Sequence, residues 1–141
     1  MDKKLRILLL EDLETDAMLI DLELRRGEID YISKRVWTKD DFIKECKDFF
    51  PDIILSDFNM PQFNALDALR LRKENSFDHI PFILVTGTQT DEVAVECLKE
   101  GADDYIHKTS LSLTRLPHAI KNALEKYQAK RAKAEAEEKL R

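Results

Sequence analysis

The chain has 141 residues, about one domain's worth, of which 43% are hydrophobic and 36% charged. No apolar run approaches the roughly 18–20 residues of a membrane span, and the first, Ile7-Leu8-Leu9-Leu10, is too short for a signal peptide and runs straight into Glu11 and Asp12. Three glycines and four prolines exclude collagen-like and low-complexity classes, so a cytoplasmic globular protein that neither crosses nor binds a membrane is expected.

Five short apolar runs alternate with helical stretches. The first run, Leu5–Leu10, is continuously apolar at its core, as expected of a strand buried on both faces of a parallel sheet. A helix over 16–26 follows and stops at Gly27, which is expected to be a left-handed cap. Tyr31–Val36 mixes Ile32, Lys34 and Val36 on one side with Tyr31, Ser33 and Arg35 on the other, and reads as an edge strand ending at a packing residue, Trp37. The next helix opens at Thr38, which caps it while Asp41 returns the bond, and ends before Pro51. Ile53–Ser56 is a second buried strand, followed by a helix from Asn64 to about Lys73. Phe82–Thr86 is a third, followed by a helix that starts after Thr90 with Asp91 and Glu92 in its first turn and ends at Gly101. A short strand over 105–107 leads to a last helix, expected to run unbroken from about Ser112 well past Tyr127.

That last segment divides the chain. Leu113, Leu116, Ile120, Leu124 and Tyr127 form a stripe able to pack on the sheet, whereas beyond Tyr127 only alanines and Leu140 remain. Residues 1–126 are therefore expected to form the domain and 127–141 a helical extension or linker. Glu135 with Lys139, and Glu137 with Arg141, have the favourable i, i+4 order. Residues 121–141 hold seven basic and four acidic residues, leaving 16 and 24 for the rest, so an acidic body carries a mildly basic tail within a net charge of −5. A solvated helix face explains that tail better than nucleic-acid binding does. Cys46 and Cys97 belong to no CxxC or Cys/His cluster and read as buried, reduced thiols. His79, His107 and His118 suggest no transition-metal site.

Alternation of strand and helix calls for a doubly wound parallel sheet, whose ligands bind outside the carboxyl ends of the strands. Glu11-Asp12 follow the first strand, Asp57 the third, Thr86 ends the fourth and Lys108 the fifth. Each alone is ordinary turn or surface chemistry. Together they converge on one crevice, where three carboxylates repel one another unless a cation relieves them. A hard divalent ion such as Mg²⁺ suits such oxygen donors. Lys108 adds an ammonium, Thr86 a hydroxyl donor, and an aspartate can act as a nucleophile toward phosphorus.

The stretches Ile7-Leu8-Leu9-Leu10-Glu11-Asp12, Ile53-Ile54-Leu55-Ser56-Asp57-Phe58-Asn59-Met60-Pro61, Val85-Thr86-Gly87 and Gly101-Ala102-Asp103-Asp104-Tyr105-Ile106-His107-Lys108 resemble, in order and spacing, the response-regulator receiver domain of two-component signalling. The resemblance spans residues 5 to about 126. It implies a flavodoxin-like (βα)5 fold with sheet order 2-1-3-4-5, carrying here an extended C-terminal helix. It implies that Asp57 is the phosphoacceptor, that Glu11, Asp12, Asp57 and the backbone carbonyl of Asn59 hold Mg²⁺, that Thr86 and Lys108 bind phosphoryl oxygens, and that Thr86 and Tyr105 act as the switch. It further implies a histidine kinase or histidine phosphotransfer protein as partner and a module that catalyses only its own phosphoryl transfer and loss. The C-terminal helix adds the expectation of a linker to a downstream sensor or kinase module, one that pairs with a second chain in a phosphorylation-dependent dimer.

Two departures stand out. Thr109 follows Lys108 where the family usually has proline, so the loop there is expected to take another course. Gln62-Phe63-Asn64-Ala65 replaces a loop often rich in glycine, leaving Asn64 to cap the next helix. Residues 108–125 look like a receiver subgroup joined to sensor or kinase modules. Two alternatives are weighed against the switch. A phosphatase of the haloacid-dehalogenase type also uses a strand-end aspartate and Mg²⁺, but wants a second aspartate where Asn59 stands. A phosphorylation-independent interaction domain would not need the complete set of site residues.

Overall fold

The computed structural model describes residues 4–87 and 91–140. In chain order the elements are β1 (Leu5–Leu10), α1 (Glu14–Arg26), β2 (Tyr31–Val36), α2 (Lys39–Asp48), β3 (Ile53–Ser56), α3 (Ala65–Glu74), β4 (Phe82–Thr86), α4 (Asp91–Lys99), β5 (Asp104–His107), α5 (Ser110–Leu113) and α6 (Leu116–Lys139). The sheet is parallel throughout in the order β2-β1-β3-β4-β5, so the mixed second strand is an edge, as its alternation predicts. Thr90 and the Glu137–Arg141 pair lie outside the described residues.

Successive residues of a strand face opposite sides, which splits each apolar run between two cores. Leu8, Leu10, Ile54, Phe82 and Leu84 pack under α2, α3 and α4, meeting Phe42, Cys46, Leu69 and Cys97. Ile7, Leu9, Ile53, Leu55, Ile83, Val85 and Ile106 pack under α1 and α6, meeting Ile20, Leu24, Leu116 and Ile120. Continuous apolar runs are needed because the inner strands have no wet face. Both cysteines are buried and unpaired, and burial pushes their thiols up, Cys46 to about 12 and Cys97 to about 11.

The helix ends follow local rules, with two corrections. Thr38 accepts from the Asp41 amide at 3.2 Å, but the expected return bond from Asp41 is not formed among the described residues, whereas Asn64 with Asp67 makes a complete capping box, at 2.9 and 3.0 Å. Gly27 is not the left-handed residue: its φ is −79°, and Glu28 takes φ 58°. The Ile29 amide reaches Leu24 O at 3.1 Å and the Glu28 amide Arg25 O at 3.0 Å, a Schellman closure one residue later than glycine suggests. Gly27 is required for another reason. A Cβ there would lie 2.4 Å from the Pro117 ring, so glycine lets α1 meet α6. Ser76 closes α3 in the same way at φ 63°, and Gly101 closes α4 at φ 113°.

The final helix is broken, contrary to the unbroken run expected from Ser112. Pro117 has no amide to give Leu113 O, so the ladder is interrupted. The Arg115 amide instead tightens onto Ser112 O at 3.0 Å, separating the single turn α5 from α6. Leu116, Ala119, Ile120 and Ala123 of α6 are buried, Leu124 and Tyr127 partly so, and residues 128–140 are all exposed. Glu135 and Lys139 form no ion pair among the described residues, since two long, fully solvated side chains gain little by being held together.

Candidate functional site

The parallel ladder carries on for one residue past the strands, and that fixes the site. The Glu11 amide donates to Val36 O at 3.0 Å, the Asp57 amide to Leu10 O at 2.9 Å and the Lys108 amide to Thr86 O at 3.1 Å. Residues far apart in sequence are thereby set along one edge of the sheet, at its carboxyl end.

Carboxylate oxygens of Glu11, Asp12 and Asp57 lie within 4.8 Å of one another. Glu11 is fully buried, Asp57 is 8% exposed and Asp12 is half-buried. Lys108 bridges two of them and a further acid, Asp16: its Nζ is 2.5 Å from Glu11, 2.8 Å from Asp16 and 3.2 Å from Asp57. Thr86, buried at the end of β4, donates its hydroxyl to Asp57 Oδ1 at 2.7 Å, and the Phe58 amide donates to the same oxygen at 2.8 Å. Burial pushes the Glu11 carboxyl up to about 7, with the charge of Asp57 adding to the rise and the Lys108 hydrogen bond opposing it. Burial works against the Lys108 ammonium, yet hydrogen bonds to Asp16 and Glu11 and the charge of Asp57 hold it up at about 12. The crevice is thus acidic, with one cation shared by three carboxylates, and its donor set is wholly oxygen.

Five of the seven expected residues, Glu11, Asp12, Asp57, Thr86 and Lys108, meet at this edge. Asn59 lies two residues beyond Asp57 in the exposed loop before α3. Tyr105 is half-buried on β5, beside Leu84 in the sheet register. Its ring stands edge-on to His107 at 4.8 Å, and burial raises its hydroxyl pKa, aided by the charge of Asp91. Thr109 opens α5, its carbonyl accepting from the Leu113 amide at 2.8 Å. Gln62, in the loop after Pro61, adopts φ 61°, a conformation in which glycine would be unstrained.

Two further residues belong to the site. Asp16, in the first turn of α1, shares Lys108. Arg35, on the neighbouring strand, donates from Nη1 to the backbone carbonyls of Glu11 and Asp12 at 3.0 and 3.3 Å while its guanidinium stacks 4.8 Å from the Trp37 ring. An acid one turn into the helix after a strand-end acid pair is a readable signal for Asp16. Arg35 has none, because its partners arise only from sheet register.

Residues 7–121 match the response regulator receiver domain. The chain belongs to that family. Among curated relatives, the C4-dicarboxylate transport transcriptional regulatory protein DctD of Pseudomonas aeruginosa is 32% identical over 123 residues, covering 81% of this chain and 26% of that protein. Chemotaxis protein CheY1 of Helicobacter pylori is 28% identical over 127 residues, covering 86% of this chain and 94% of that protein. Among solved structures, a CheY-like receiver domain protein from Methanospirillum hungatei superposes with a TM-score of 0.74 at 22% identity, over 91% of this chain and 99% of that one. NtrX from Brucella abortus gives 0.79 at 20%, over 95% and 30%; at these identities the likeness is one of fold. The receiver therefore spans about a quarter of the first relative and nearly all of the second. Receiver domains are signalling modules that interact with histidine kinases or phosphotransfer proteins and bind Mg²⁺ at an acidic pocket, and this receiver has such an acidic cluster. Among the described residues no helix is long and apolar enough to cross a membrane.

Proposed function

We propose that this receiver is a cytoplasmic phosphorylation switch in which Asp57 takes a phosphoryl group from the phosphohistidine of a kinase or phosphotransfer protein. The observation that carries this reading is the surroundings of Asp57, a strand-end carboxylate with a buried threonine hydroxyl at 2.7 Å and a lysine ammonium at 3.2 Å. In the step, an Asp57 oxygen attacks phosphorus, the P–N bond breaks, and the bonding pair leaves on the imidazole nitrogen, which takes up a proton. Thr86 and Lys108, both already directed at the carboxylate, stabilise the charge on the transferring oxygens.

The all-oxygen cluster fits a hard cation, and Glu11, Asp12, Asp57 and the Asn59 carbonyl would hold Mg²⁺. The ion, when bound, supplies the positive charge that lets donor phosphate approach three carboxylates. Arg35 positions the backbone of the acidic pair, and Tyr105 with Thr86 transmits the change. The same site residues then remove the phosphoryl group by hydrolysis, so the receiver catalyses only its own modification. Incubation with phosphoramidate and Mg²⁺, followed by intact-mass measurement, should add one phosphate to the wild type and none to Asp57→Asn. Equal addition to both would refute the assignment, and no addition to either would leave a phosphorylation-independent interaction domain.

The signal would leave through α6. Residues 1–126 form the receiver, and 127–141 act as a helical linker toward a downstream sensor or kinase module, pairing with a second chain on phosphorylation. A free helix of this length is marginal alone, which suits an element whose partner completes it. Sedimentation with and without beryllofluoride should show a larger species in the activated state. A monomer in both states, with amides beyond Tyr127 exchanging like coil, would reduce the segment to a solvated helix end.

A further inference from the structure

At the amino ends of β4 and β5, across the sheet from Asp57, a polar cleft of about 360 Å³ opens between the end of α3, the α4–β5 turn and α6. Arg72 forms its inner wall and is 3% exposed. Its Nη1 donates to Ile80 O at 2.6 Å and its Nη2 to Gly101 O at 3.0 Å, and its guanidinium lies 5.6 Å from the Phe82 ring centre. Its Nε is buried with no hydrogen-bond partner. Arginine is always charged; this buried guanidinium rests on two carbonyls, a ring and the Tyr127 side chain, which also bonds Asp103, with no carboxylate in direct ion-pair contact among the described residues.

The mouth of the cleft adds four more cations, Lys73, Lys99, Lys126 and Lys130. Three acids also line it, but two are engaged. Glu100 faces Arg70 at 3.9 Å, and Asp103 accepts from the Phe82 amide at 2.9 Å and faces Lys126 at 3.6 Å. Asp78 is exposed at the rim. Lys73, Lys99 and Lys130 have no anionic partner among the described residues, and the Lys130 ammonium sits 5.6 Å from the Tyr127 ring centre, at the mouth. A cleft with an excess of one sign of charge raises the local concentration of counter-ions. The polar lining offers nothing to an apolar ligand, and with five cations against three acids the net field favours an anion, the more strongly the higher its charge.

We propose that this cleft binds the di- or triphosphate group of a nucleotide or of a free oligophosphate. Lysine ammoniums at the mouth would meet the phosphate oxygens as point charges, and the Arg72 charge behind them would be compensated. Because Lys126, Tyr127 and Lys130 lie where α6 leaves the body, the bound anion would tie the first free turn of α6 to the α4–β5 turn. None of this depends on the role of Asp57.

Sodium pyrophosphate and, in parallel, ADP would be titrated calorimetrically into the full chain at fixed ionic strength without divalent metal, with amide shifts followed by NMR. The same would be done with the Lys99→Ala/Lys130→Ala double variant, whose two positions are exposed. Saturable binding to the wild type is expected, at least tenfold weaker in the double variant, with shifts in residues 99–103 and 126–130. Equal affinity for the two probes would identify a free oligophosphate as ligand, and tighter ADP a nucleotide. Absence of saturable binding, equal affinity in both proteins, or shifts confined to the residues around Asp57 would overturn the proposal.

Discussion

The two ends of this sheet are each organised around a cation, half-buried Lys108 at one and buried Arg72 at the other, and they treat it in opposite ways. At the carboxyl end Lys108 contacts three carboxylates, so the acids exceed the charge that balances them. At the amino end Arg72 contacts two carbonyls, and the surrounding lysines add charge of the same sign. The first arrangement can admit another cation and exchange hydrogen bonds as charge arrives. The second joins α3, the start of β4 and the α4–β5 turn, and its bonds to the chain are made once, on folding. On the function proposed above, the difference separates an edge that responds to phosphorylation from one whose buried cation serves the fold, within a single sheet.

The largest effect is expected where the cation is structural. Arg72→Leu removes both hydrogen bonds and leaves the Ile80 and Gly101 carbonyls short of a donor, costing about 2–4 kcal/mol. Urea unfolding measures it, and a loss below about 0.5 kcal/mol would show that Arg72 is not a structural tie.

Lys108→Ala should cost less, about 2 kcal/mol in metal-free buffer, because Glu11, whose carboxyl is already pushed up, can relieve repulsion by taking a proton. Since an ion that binds only the folded state stabilises by mass action, Mg²⁺ should raise the melting temperature of Lys108→Ala more than that of the wild type. A smaller rise in the variant, or Mg²⁺ affinity reduced tenfold or more, would mean that Lys108 builds the metal site rather than competing with the metal.

The carboxyl end was the more legible of the two from sequence, and the reason is physical. Continuous apolar runs mark buried parallel strands, and residues just past them must project from one edge, so Glu11, Asp12, Asp57, Thr86 and Lys108 could be grouped without coordinates. Arg72 could not be, because a basic residue in the last turn of an amphipathic helix ordinarily reads as solvated. Arg35 was hidden likewise, since its bonds to Glu11 and Asp12 depend on the register of β2 against β1. Gly27 was assigned a cap by residue type, whereas closure falls on Glu28 and the glycine serves the approach of Pro117. The break before α6 follows from Pro117, whose lost amide matters only when the partner carbonyl is counted.

A smaller effect is expected from Arg35. Arg35→Gln frees the carbonyls of the acidic pair while leaving every carboxylate in place, and should weaken Mg²⁺ binding about threefold, under 1 kcal/mol. Calorimetry reads it, and unchanged affinity would reduce Arg35 to a partner of Trp37. The smallest response should come from the cysteines. Burial raises both thiols, so the reactive thiolate is scarce at pH 8 and a disulfide reagent should label neither Cys46 nor Cys97 until the protein unfolds. Labelling at the rate of a free thiol would contradict their burial.

The responsive character of the carboxyl end rests on Asp57 receiving a phosphoryl-like group there, and fluorine NMR of the protein with beryllium fluoride tests this directly. With Mg²⁺ present, the wild type should give protein-bound fluorine resonances that vanish on chelation of the metal and are absent from Asp57→Asn. Bound resonances of equal intensity in Asp57→Asn, or none in the wild type with Mg²⁺ in excess, would contradict Asp57 as the acceptor.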